Sequence, residues 1–402
     1  MKRLGVLISL FIMLVTGSAS AQFFQSGRAS VAFTGDIMMH INVKRCAAVK
    51  NRVNGSGESI NNGGFDYLYE RIAPLFGRID YVAGNMEFPV SPPFRQNGII
   101  FNAPKEAIAG IRHAGIDVVS LANNHILDQN VKGAHDTMAF CEEYKLPYIG
   151  VGRSREEARR GYVREVNGIR IGMIAYTGLI NYPNRNTGKG LHLNWIYNRE
   201  EVFADIRRMK QSCDYLVMQI HTGVEYVLEP RRSDREIYRA CLDQGADLVI
   251  GHHPHMLQSM EMYRTKDGRN AAIFYSLGNF ISDQRRYVPV RNTGRRISLR
   301  DSVVVMAELA ESFGTVNDTI SVIPIHTVHE YRTHDGRRYK DIQTIVIHEE
   351  IRDLDRQLDV LPKNDPRRTA LASRIRFYKQ RQEAISLTLF PQGKPASVRF
   401  VQ

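Results

Sequence analysis

The sequence predicts an α/β protein with a partly antiparallel sheet, and three observations carry this prediction. From Val31 onward, short apolar runs alternate with helical stretches, which is typical of α/β architecture. The dipeptide Asn167-Gly168 between two apolar runs indicates a β-hairpin. The chain has 402 residues, 43% hydrophobic and 24% charged, as in globular proteins with one large or two moderate domains.

The first half of the chain contains three predicted strands, and each runs into polar residues. The strands are "VAFTGD", which ends at Asp36, "DYVAGNME" and "IDVVSLANNH". Helices are predicted over 66–78 and over 104–114, where Pro104 suits the start of a helix. Residues 41–64 and 91–100 are predicted to be loops, since the first is rich in Gly, Asn and Ser.

The second half repeats the alternation of strands and helices. Helices are predicted over 131–144, 199–211 and 233–244, and "NRNTGKG" is predicted to be a glycine-rich loop. The predicted strands are "PYIGVG", the hairpin pair "GYVREVNG" and "RIGMIAYT", then "DYLVMQIHTGVEY", "ADLVIGHHPH", "AAIFYSLGNF" and "DSVVVMAELA".

Both ends of the chain differ from this body. Residues 1–21 combine Lys2 and Arg3, an apolar run shorter than a bilayer span, and Ala19-Ser20-Ala21, which together predict a signal peptide. We therefore expect a bacterial periplasmic or secreted protein cleaved near Ala21. Residues 30–330 form the predicted main domain. Residues 331–402 are charged and carry leucines at helical spacing, which predicts a mostly helical extension.

The formal net charge of +12 predicts anionic partners, which by charge alone include glycans, polyglutamate, phosphorylated lipids and nucleic acid. No zinc-finger spacing or aromatic RNA-binding signature is present, so a nucleic-acid partner is not expected. The four cysteines contain no C-x-x-C pair, and both disulfide pairing and free buried thiols remain open.

Potential metal ligands follow five predicted strands. In α/β sheets such side chains meet beyond the carboxyl ends of the strands. Carboxylate, amide and imidazole ligands together suit Mn, Zn or Fe, and we expect one or two divalent ions. The candidates, in chain order, are Asp36, Asn85, Glu87, Asn123, Asn124, His125, Asp128, His221, Glu225, His252, His253 and His255.

Structural explanations compete with the functional ones at several of these positions. Asp36 could cap a loop, and Asn85 and Asn123 could satisfy backbone amides in turns. His252 could point away and bond to backbone, whereas His253 and His255 could lie on one side of an extended segment stiffened by Pro254. Surface positions are expected for seven other histidines, namely His40, His113, His135, His192, His326, His329 and His334.

These blocks resemble the CapA family of proteins associated with poly-γ-glutamate capsule synthesis. The resemblance covers roughly residues 30–284 and rests on "FTGDIMMH", "GNMEFPV", "FNAPKE", "VVSLANNHILD", "IHTGVEY", "GHHPHMLQ" and "YSLGNFISD". That family is similar to calcineurin-like metallophosphatases, which implies a two-sheet sandwich flanked by helices (αββα). The implied metal ligands are Asp36, Glu87 and His255 for a first ion, with Glu87 also bridging, and Asn124, His221 and His253 for a second.

The resemblance also implies catalytic roles. His125 would be a general acid or transition-state donor, Asp128 would orient it, and Glu225 would act on the nucleophilic water or hold a ligand in place. The chain departs from the phosphatases where they carry Asp-x-His and Gly-Asp-x-x-Asp. Here the corresponding residues are "DIM" and "GNME", which makes one ion or a weakly bound pair credible.

Three functions are compatible with these features. The first is an exported metal-dependent hydrolase or transferase for poly-γ-glutamate or a related anionic cell-envelope polymer, working with capsule synthesis or export proteins. The second is a phosphoesterase that uses the same metal site. The third is a non-catalytic protein that binds the polymer for export through its basic C-terminal helices.

Overall fold

The computed structural model of the protein describes residues 27–185, 190–312 and 315–402. The predicted signal peptide, residues 1–21, and most of the predicted loop "NRNTGKG" lie outside these ranges. Across the described ranges, no helix combines the length and apolar character needed to cross a lipid bilayer.

The strands are given in chain order. They are β1 (Arg28–Ile37), β2 (Tyr81–Met86), β3 (Val118–Ser120), β4 (Tyr148–Ile149), β5 (Val151–Gly152), β6 (Tyr162–Val166), β7 (Ile169–Thr177), β8 (His192–Leu193), β9 (Tyr215–His221), β10 (Leu248–His252), β11 (Met260–Arg264), β12 (Asn270–Phe274), β13 (Asn279–Ile281), β14 (Tyr287–Pro289), β15 (Arg296–Ser298), β16 (Asp301–Ser312), β17 (Thr315–His334), β18 (Arg337–Val346) and β19 (Val398–Phe400).

The α-helices surround the strands and are likewise given in chain order. They are α1 (Ile41–Lys50), α2 (Phe65–Tyr69), α3 (Ala73–Phe76), α4 (Glu106–His113), α5 (Asn130–Glu143), α6 (Arg155–Arg159), α7 (Arg199–Lys210), α8 (Arg232–Asp243), α9 (Ile347–Val360) and α10 (Arg367–Leu389).

Two mixed sheets contain most of these strands. The first has nine strands in the order β18-β17-β16-β1-β2-β3-β4, with β13 also paired to β1 and β19 to β17. The second has six strands in the order β11-β12-β10-β9-β7-β6. Strands β1 to β4 run parallel to one another, as do β7, β9, β10 and β12. Each sheet therefore gathers several strand carboxyl ends at one edge.

The largest apolar cluster lies between the two sheets. It joins Val31 and Phe33 of β1 to Val217 of β9 and Ile250 of β10. Two further clusters pack the outer faces, one against α1, α2, α4 and α5, the other against α7 and α8. Because strand side chains alternate between faces, each sheet buries one face on its partner and the other under helices. The predicted αββα sandwich is confirmed.

The predicted loop over 41–64 is wrong at its start, where α1 forms. Val43, Cys46 and Ala47 follow the i, i+3, i+4 spacing of a buried helix face and pack beside β18. The predicted helix over 66–78 is divided into α2 and α3. Between them, Ile72 accepts the amide of Leu75 and begins a new turn that contains Pro74.

The region after residue 330 begins as sheet and becomes helical only at Ile347. Strand β17 runs through residue 330, and β18 pairs with it over ten residues. Helices α9 and α10 then cover inner-face positions of the first sheet, and Leu354, Ile385 and Leu389 join the cluster between the sheets. The C-terminal region thus shares the core of the main domain.

His326, expected on the surface, is buried, and so are the four cysteines. His326 Nδ1 lies 2.7 Å from one oxygen of Asp301, and the other oxygen accepts a hydrogen bond from Arg381 of α10. Burial lowers the pKa of His326 and outweighs the opposing effect of Asp301. The four cysteines are buried free thiols. Hydrogen bonding to a fixed carboxylate explains how His326 is tolerated inside the fold.

Candidate metal centre

The candidate side chains converge where the carboxyl ends of β1, β2, β3, β9 and β10 meet between the two sheets. Among the residues that the structure describes, three groups of potential ligands each have one donor atom per residue within 4.8 Å of the others. They are Glu87 with His221 and His253, Asp36 with Glu87 and His255, and Glu225 with His253 and His255. The shared members make these groups one continuous cluster.

Asp36 lies at the end of β1, where the strand changes register after Phe33. A Cβ atom at Gly35 would collide with the Gly278 carbonyl, so glycine allows β1 to approach that turn, and the Asp36 amide donates to Gly278 at 2.9 Å. Burial by itself would raise the pKa of Asp36, but hydrogen bonds with His252 and His255 hold it well below the usual value. Asp36 is therefore a buried carboxylate that stays ionised.

Glu87 follows β2 and is fully buried. Neither of its carboxylate oxygens makes a hydrogen bond to another described residue. Its Oε1 faces three imidazoles, at 3.6 Å from His221 Nε2, 3.7 Å from His255 Nε2 and 4.0 Å from His125 Nε2. Burial, followed by the nearby charges of Asp36 and Glu225, raises the pKa of Glu87 well above its usual value.

His221 is the last residue of β9 and shares the inner face with Val217, two strand repeats earlier. Its Nε2 lies 2.8 Å from Asn124 Oδ1, and its Nδ1 lies 3.2 Å from Asn85 Nδ2. Burial and the neighbouring His253 lower the pKa of His221 well below its usual value. The ring is therefore neutral, which is the form that binds metals.

The segment His253-Pro254-His255 is bent rather than extended, contrary to the sequence prediction. His253 has φ of 95° and His255 has φ of 53°, both in the left-handed region that non-glycine residues rarely adopt. The bend places the two rings 5.8 Å apart. His253 Nδ1 is buried without a hydrogen-bond partner among described residues, and burial, then His255, lowers the pKa of His253 to about 3.

His125 and Asp128 form a pair beside this cluster. His125 Nδ1 lies 2.7 Å from Asp128 Oδ2, which also accepts the Phe101 amide at 2.5 Å. The Phe101 ring packs edge-on against His125 with centroids 4.5 Å apart. These contacts fix the ring so that Nε2 faces Glu87. Asn123, by contrast, bonds to the Met86 carbonyl at 2.9 Å and supports the turn, as its structural explanation predicted.

A cavity of about 290 Å³ opens onto the cluster. Its walls include His125 and His255 on the inner side, with Glu225, Tyr226 and Ile99 nearer the solvent. Glu225 and Ile99 are exposed, so the cluster is reachable from outside. The cavity therefore offers room for a small group of a substrate next to the buried ligands.

Asn85 and His252 were candidates with competing structural explanations, and His40 was expected on the surface, but all three lie at the site. The prediction that His252 points away is wrong: Leu248, Ile250 and His252 alternate onto the inner face, and His252 Nδ1 lies 3.1 Å from Asp36 Oδ1. Asn85 donates to Asp36 Oδ1 at 2.8 Å. His40, expected on the surface, lines the cavity. The position of His40 four residues after Asp36 was the feature of the sequence that could have predicted its place near the site.

The residues present fit a divalent ion. Two ligands about 2.1 Å from an ion in tetrahedral arrangement are about 3.4 Å apart, close to the distances of Glu87 Oε1 from His221 and His255. A buried carboxylate without a hydrogen bond is costly unless a cation or proton accompanies it. Neutral imidazoles, carboxylates and an amide oxygen form a donor set suited to Mn, Zn or Fe.

Comparison with known proteins places this site in a family context. Residues 30–284 match the family described as "Bacterial capsule synthesis protein PGA_cap". The capsule biosynthesis protein CapA of Bacillus anthracis is 30% identical over 269 residues, or 65% of this chain and 61% of that protein. The PGA biosynthesis protein CapA of Bacillus subtilis (strain 168) is 30% identical over 335 residues, or 80% of this chain and 79% of that protein.

This chain therefore spans about three fifths of the length of the first of these relatives. Among solved structures, the 5'-nucleotidase from Candida albicans SC5314 is similar over 87% of this chain and 58% of that chain, with 10% identity and a TM-score of 0.38. A likeness at this level supports no inference about chemistry.

Proposed function

Because the chain belongs to the family of bacterial capsule synthesis proteins, we propose that it is a metal-dependent hydrolase or transferase of an anionic cell-envelope polymer, poly-γ-glutamate or a related capsular chain. The observation that carries this proposal is Glu87. Its two buried oxygens lack hydrogen bonds to described residues, and Oε1 faces the imidazoles of His221 and His255, as expected of a carboxylate that awaits a cation.

The ion would be held by Glu87, His221, His253 and His255, with Asp36 and Asn124 as further ligands or as hydrogen-bond partners of the ligands. When bound, such an ion supplies Lewis acidity and lowers the pKa of water. Asp36 contacts Nδ1 of His255 at 3.1 Å, and Asn85 contacts Nδ1 of His221 at 3.2 Å. These contacts orient both rings so that Nε2 faces Glu87. Asn124 Oδ1 lies 2.8 Å from the same Nε2 of His221, on the side of the proposed ion.

The chain's own acid–base groups lie around the cavity. His125 Nε2 faces the cavity while Asp128 holds Nδ1, so a protonated His125 could donate to a leaving amine or oxygen. Asp128 would stabilise the imidazolium during this step. Glu225 at the exposed rim could accept a proton from an incoming nucleophile, because it borders both His253 and His255.

Metal content of the purified protein tests this proposal. We expect near-stoichiometric Mn, Zn or Fe in the parent protein, and loss of metal and of polymer processing in His253→Ala and Glu87→Ala. His192→Ala and Glu58→Ala are matched controls, because both residues are exposed and outside the cluster. Unchanged metal content and polymer processing in His253→Ala would contradict the proposal.

Phosphoester cleavage by the same residues is a second candidate, favoured by the fixed His125–Asp128 pair, which suits protonation of a leaving oxygen. Turnover of nitrophenyl phosphate monoesters and diesters with added Mn or Zn would support it. If the protein cleaves γ-glutamyl oligomers but turns over none of these phosphoesters, the phosphoesterase proposal is refuted and the first proposal is retained. The proposed place of action is the periplasm or cell exterior, in company with capsule synthesis or export proteins.

A further inference from the structure

An exposed strip of arginine and tyrosine side chains begins at the mouth of the cavity. Tyr226 lines the cavity, and its ring centroid lies 6.1 Å from that of His255. The Arg286 guanidinium lies 5.7 Å from the centroid of the same tyrosine ring. Gln284 donates to the Tyr226 hydroxyl at 3.1 Å and fixes the ring. The cavity wall and the first arginine are therefore in direct contact.

The strip continues to the hairpin between β17 and β18. Arg285, next to Arg286, donates from Nη1 to the Tyr331 hydroxyl at 3.3 Å. The Arg338 guanidinium lies 4.1 Å from the Tyr331 ring centroid. Tyr331 is 51% exposed, and all three arginines are exposed. We call Arg285, Arg286 and Arg338, with Tyr226 and Tyr331, the arginine strip.

The three arginines of the strip carry uncompensated charge. Within the described part of the chain, no carboxylate oxygen lies within 4.0 Å of their guanidinium nitrogens. The nearest acid in sequence, Asp283, is already bound by Lys340 and Asn42. Arginines that are held by tyrosine rings and unpaired remain available to an external anion.

Strand alternation places Glu330 and Asp341 on the opposite face of the hairpin from Tyr331, whereas Glu225 adjoins Tyr226 at the mouth of the cavity. Tyr331 is paired with Lys340 across the hairpin, and Arg332 is paired with Tyr339. Neighbouring residues of a strand point to opposite faces. Arg332 forms ion pairs with Glu330 and Asp341, and Lys50 lies 4.0 Å from Asp341, so both carboxylates have cationic partners other than the arginines of the strip.

From this arrangement we infer that the arginine strip is a docking site for a polymer with a carboxylate on each repeat. The strip leads the bound polymer into the cavity. Guanidinium forks bind carboxylates in two-point contacts, and the tyrosine rings between them hold their planes in place. The inference deepens the proposed function and rests on it. The three arginines lie after residue 284, outside the segment matched by the family, so the strip is a feature that the match does not assign.

Polymer binding by the metal-free full chain tests the inference without requiring turnover. The probe is fluorescently labelled poly-γ-glutamate, measured by fluorescence anisotropy over a series of salt concentrations. The test variant is Arg285→Gln with Arg286→Gln and Arg338→Gln. We expect about tenfold weaker binding, from three exposed charge contacts, and a shallower dependence of affinity on salt.

The matched control removes the same net charge from exposed, unpaired arginines elsewhere, as Arg52→Gln with Arg164→Gln and Arg376→Gln. We expect this variant to bind as the parent protein does. Equal weakening in both triple variants would show attraction by net charge alone and overturn the inference, as would unchanged binding in the strip variant. Binding of short single-stranded DNA that is tighter than that of the polymer, and lost in the strip variant, would also overturn it.

The outcomes separate this inference from the proposed function. Strip-dependent polymer binding by a protein without any turnover would retain the docking site and refute the catalytic proposal. The opposite outcome is turnover that depends on Glu87 and His253 together with polymer binding that does not depend on the strip. That outcome would retain the catalytic proposal and refute the docking site. Circular dichroism of both triple variants verifies that they are folded before binding is compared.

Discussion

His255 Nδ1 lies 3.1 Å from Asp36 Oδ2, and this contact decides which nitrogen of the ring faces the metal centre. Because Asp36 is an ionised carboxylate, it can only accept a hydrogen bond, so Nδ1 is the donor of this contact and Nε2 is the nitrogen turned toward the centre. That nitrogen lies 3.7 Å from Glu87 Oε1. Asp36 therefore prepares a ligand in addition to offering its own oxygens.

Replacing Asp36 with Asn is expected to weaken binding of Mn or Zn about 10- to 100-fold, the range seen for partners of metal ligands. Asn keeps the size of the side chain but loses the charge that holds His255 in this form. Calorimetric titration of the metal-free protein measures the change. Asp205→Asn is a suitable control, since Asp205 is buried and bound to Arg159; an equal loss there would refute a specific role for Asp36.

Replacing Glu87 with Gln is expected to have opposite effects on the two forms of the protein. In the metal-free form, burial raises the pKa of Glu87 and makes its charge costly at neutral pH, so an uncharged glutamine raises the free energy of unfolding by about 1 kcal/mol. The same change abolishes the stabilisation that added Mn or Zn gives the parent protein, because a ligand is lost. Denaturant titration with and without metal measures both. Destabilisation of the metal-free variant would contradict the assignment of Glu87 as an unsatisfied ligand.

His125→Ala is expected to lower turnover of γ-glutamyl oligomers at least about 100-fold, the usual contribution of a general acid, while metal content stays near that of the parent protein. His125 contacts Asp128 and packs edge-on against Phe101, but it belongs to none of the ligand groups described above. Turnover assays and elemental analysis of the same preparation separate these effects. Loss of both metal and activity in His125→Ala would instead identify His125 as a metal ligand.

His329 is expected to contribute to acid unfolding. Its Nε2 bonds to the Ser282 carbonyl at 2.8 Å, its Nδ1 is buried without a described partner, and burial lowers its pKa to about 3. An unfolded histidine binds a proton below about pH 6.5. Between these values the unfolded state binds more protons, so stability falls as pH is lowered, by up to about 1.4 kcal/mol per pH unit.

His329→Gln should therefore flatten the decline of unfolding free energy between about pH 6.5 and pH 3, because glutamine can donate to Ser282 without titrating. Denaturant unfolding at several pH values measures the slope. His334→Gln is the control, since His334 is 57% exposed and its partner Asp335 is exposed as well. The same slope of unfolding free energy against pH in the parent protein, His329→Gln and His334→Gln would show that His329 does not cause the loss of stability in acid.

Local patterns were sufficient for most elements of the sandwich and failed where long-range pairing decides. The Asn167-Gly168 turn and the buried strands β1, β2, β9 and β10 are visible in the residues themselves, because apolar runs and turn residues act over a few positions. Helix α1 was missed because its surroundings are polar and its buried face is covered by the distant β18. Strand β18 is a different case, because it pairs with β17 across the two-residue turn Asp335-Gly336, a local hairpin signal that the sequence prediction did not use.

The sequence by itself determined the α/β class and the strand ends that carry Asp36, Glu87, His221 and the "HHPH" segment, since alternation and composition are local properties. Only the tertiary structure decided that His252 turns inward to Asp36, that His253 and His255 adopt positive φ, and that Glu87 has no hydrogen bond from the described chain. It also placed arginines from two distant segments in one strip. These features depend on how two sheets stack and which charges meet, and no spacing along the chain records that.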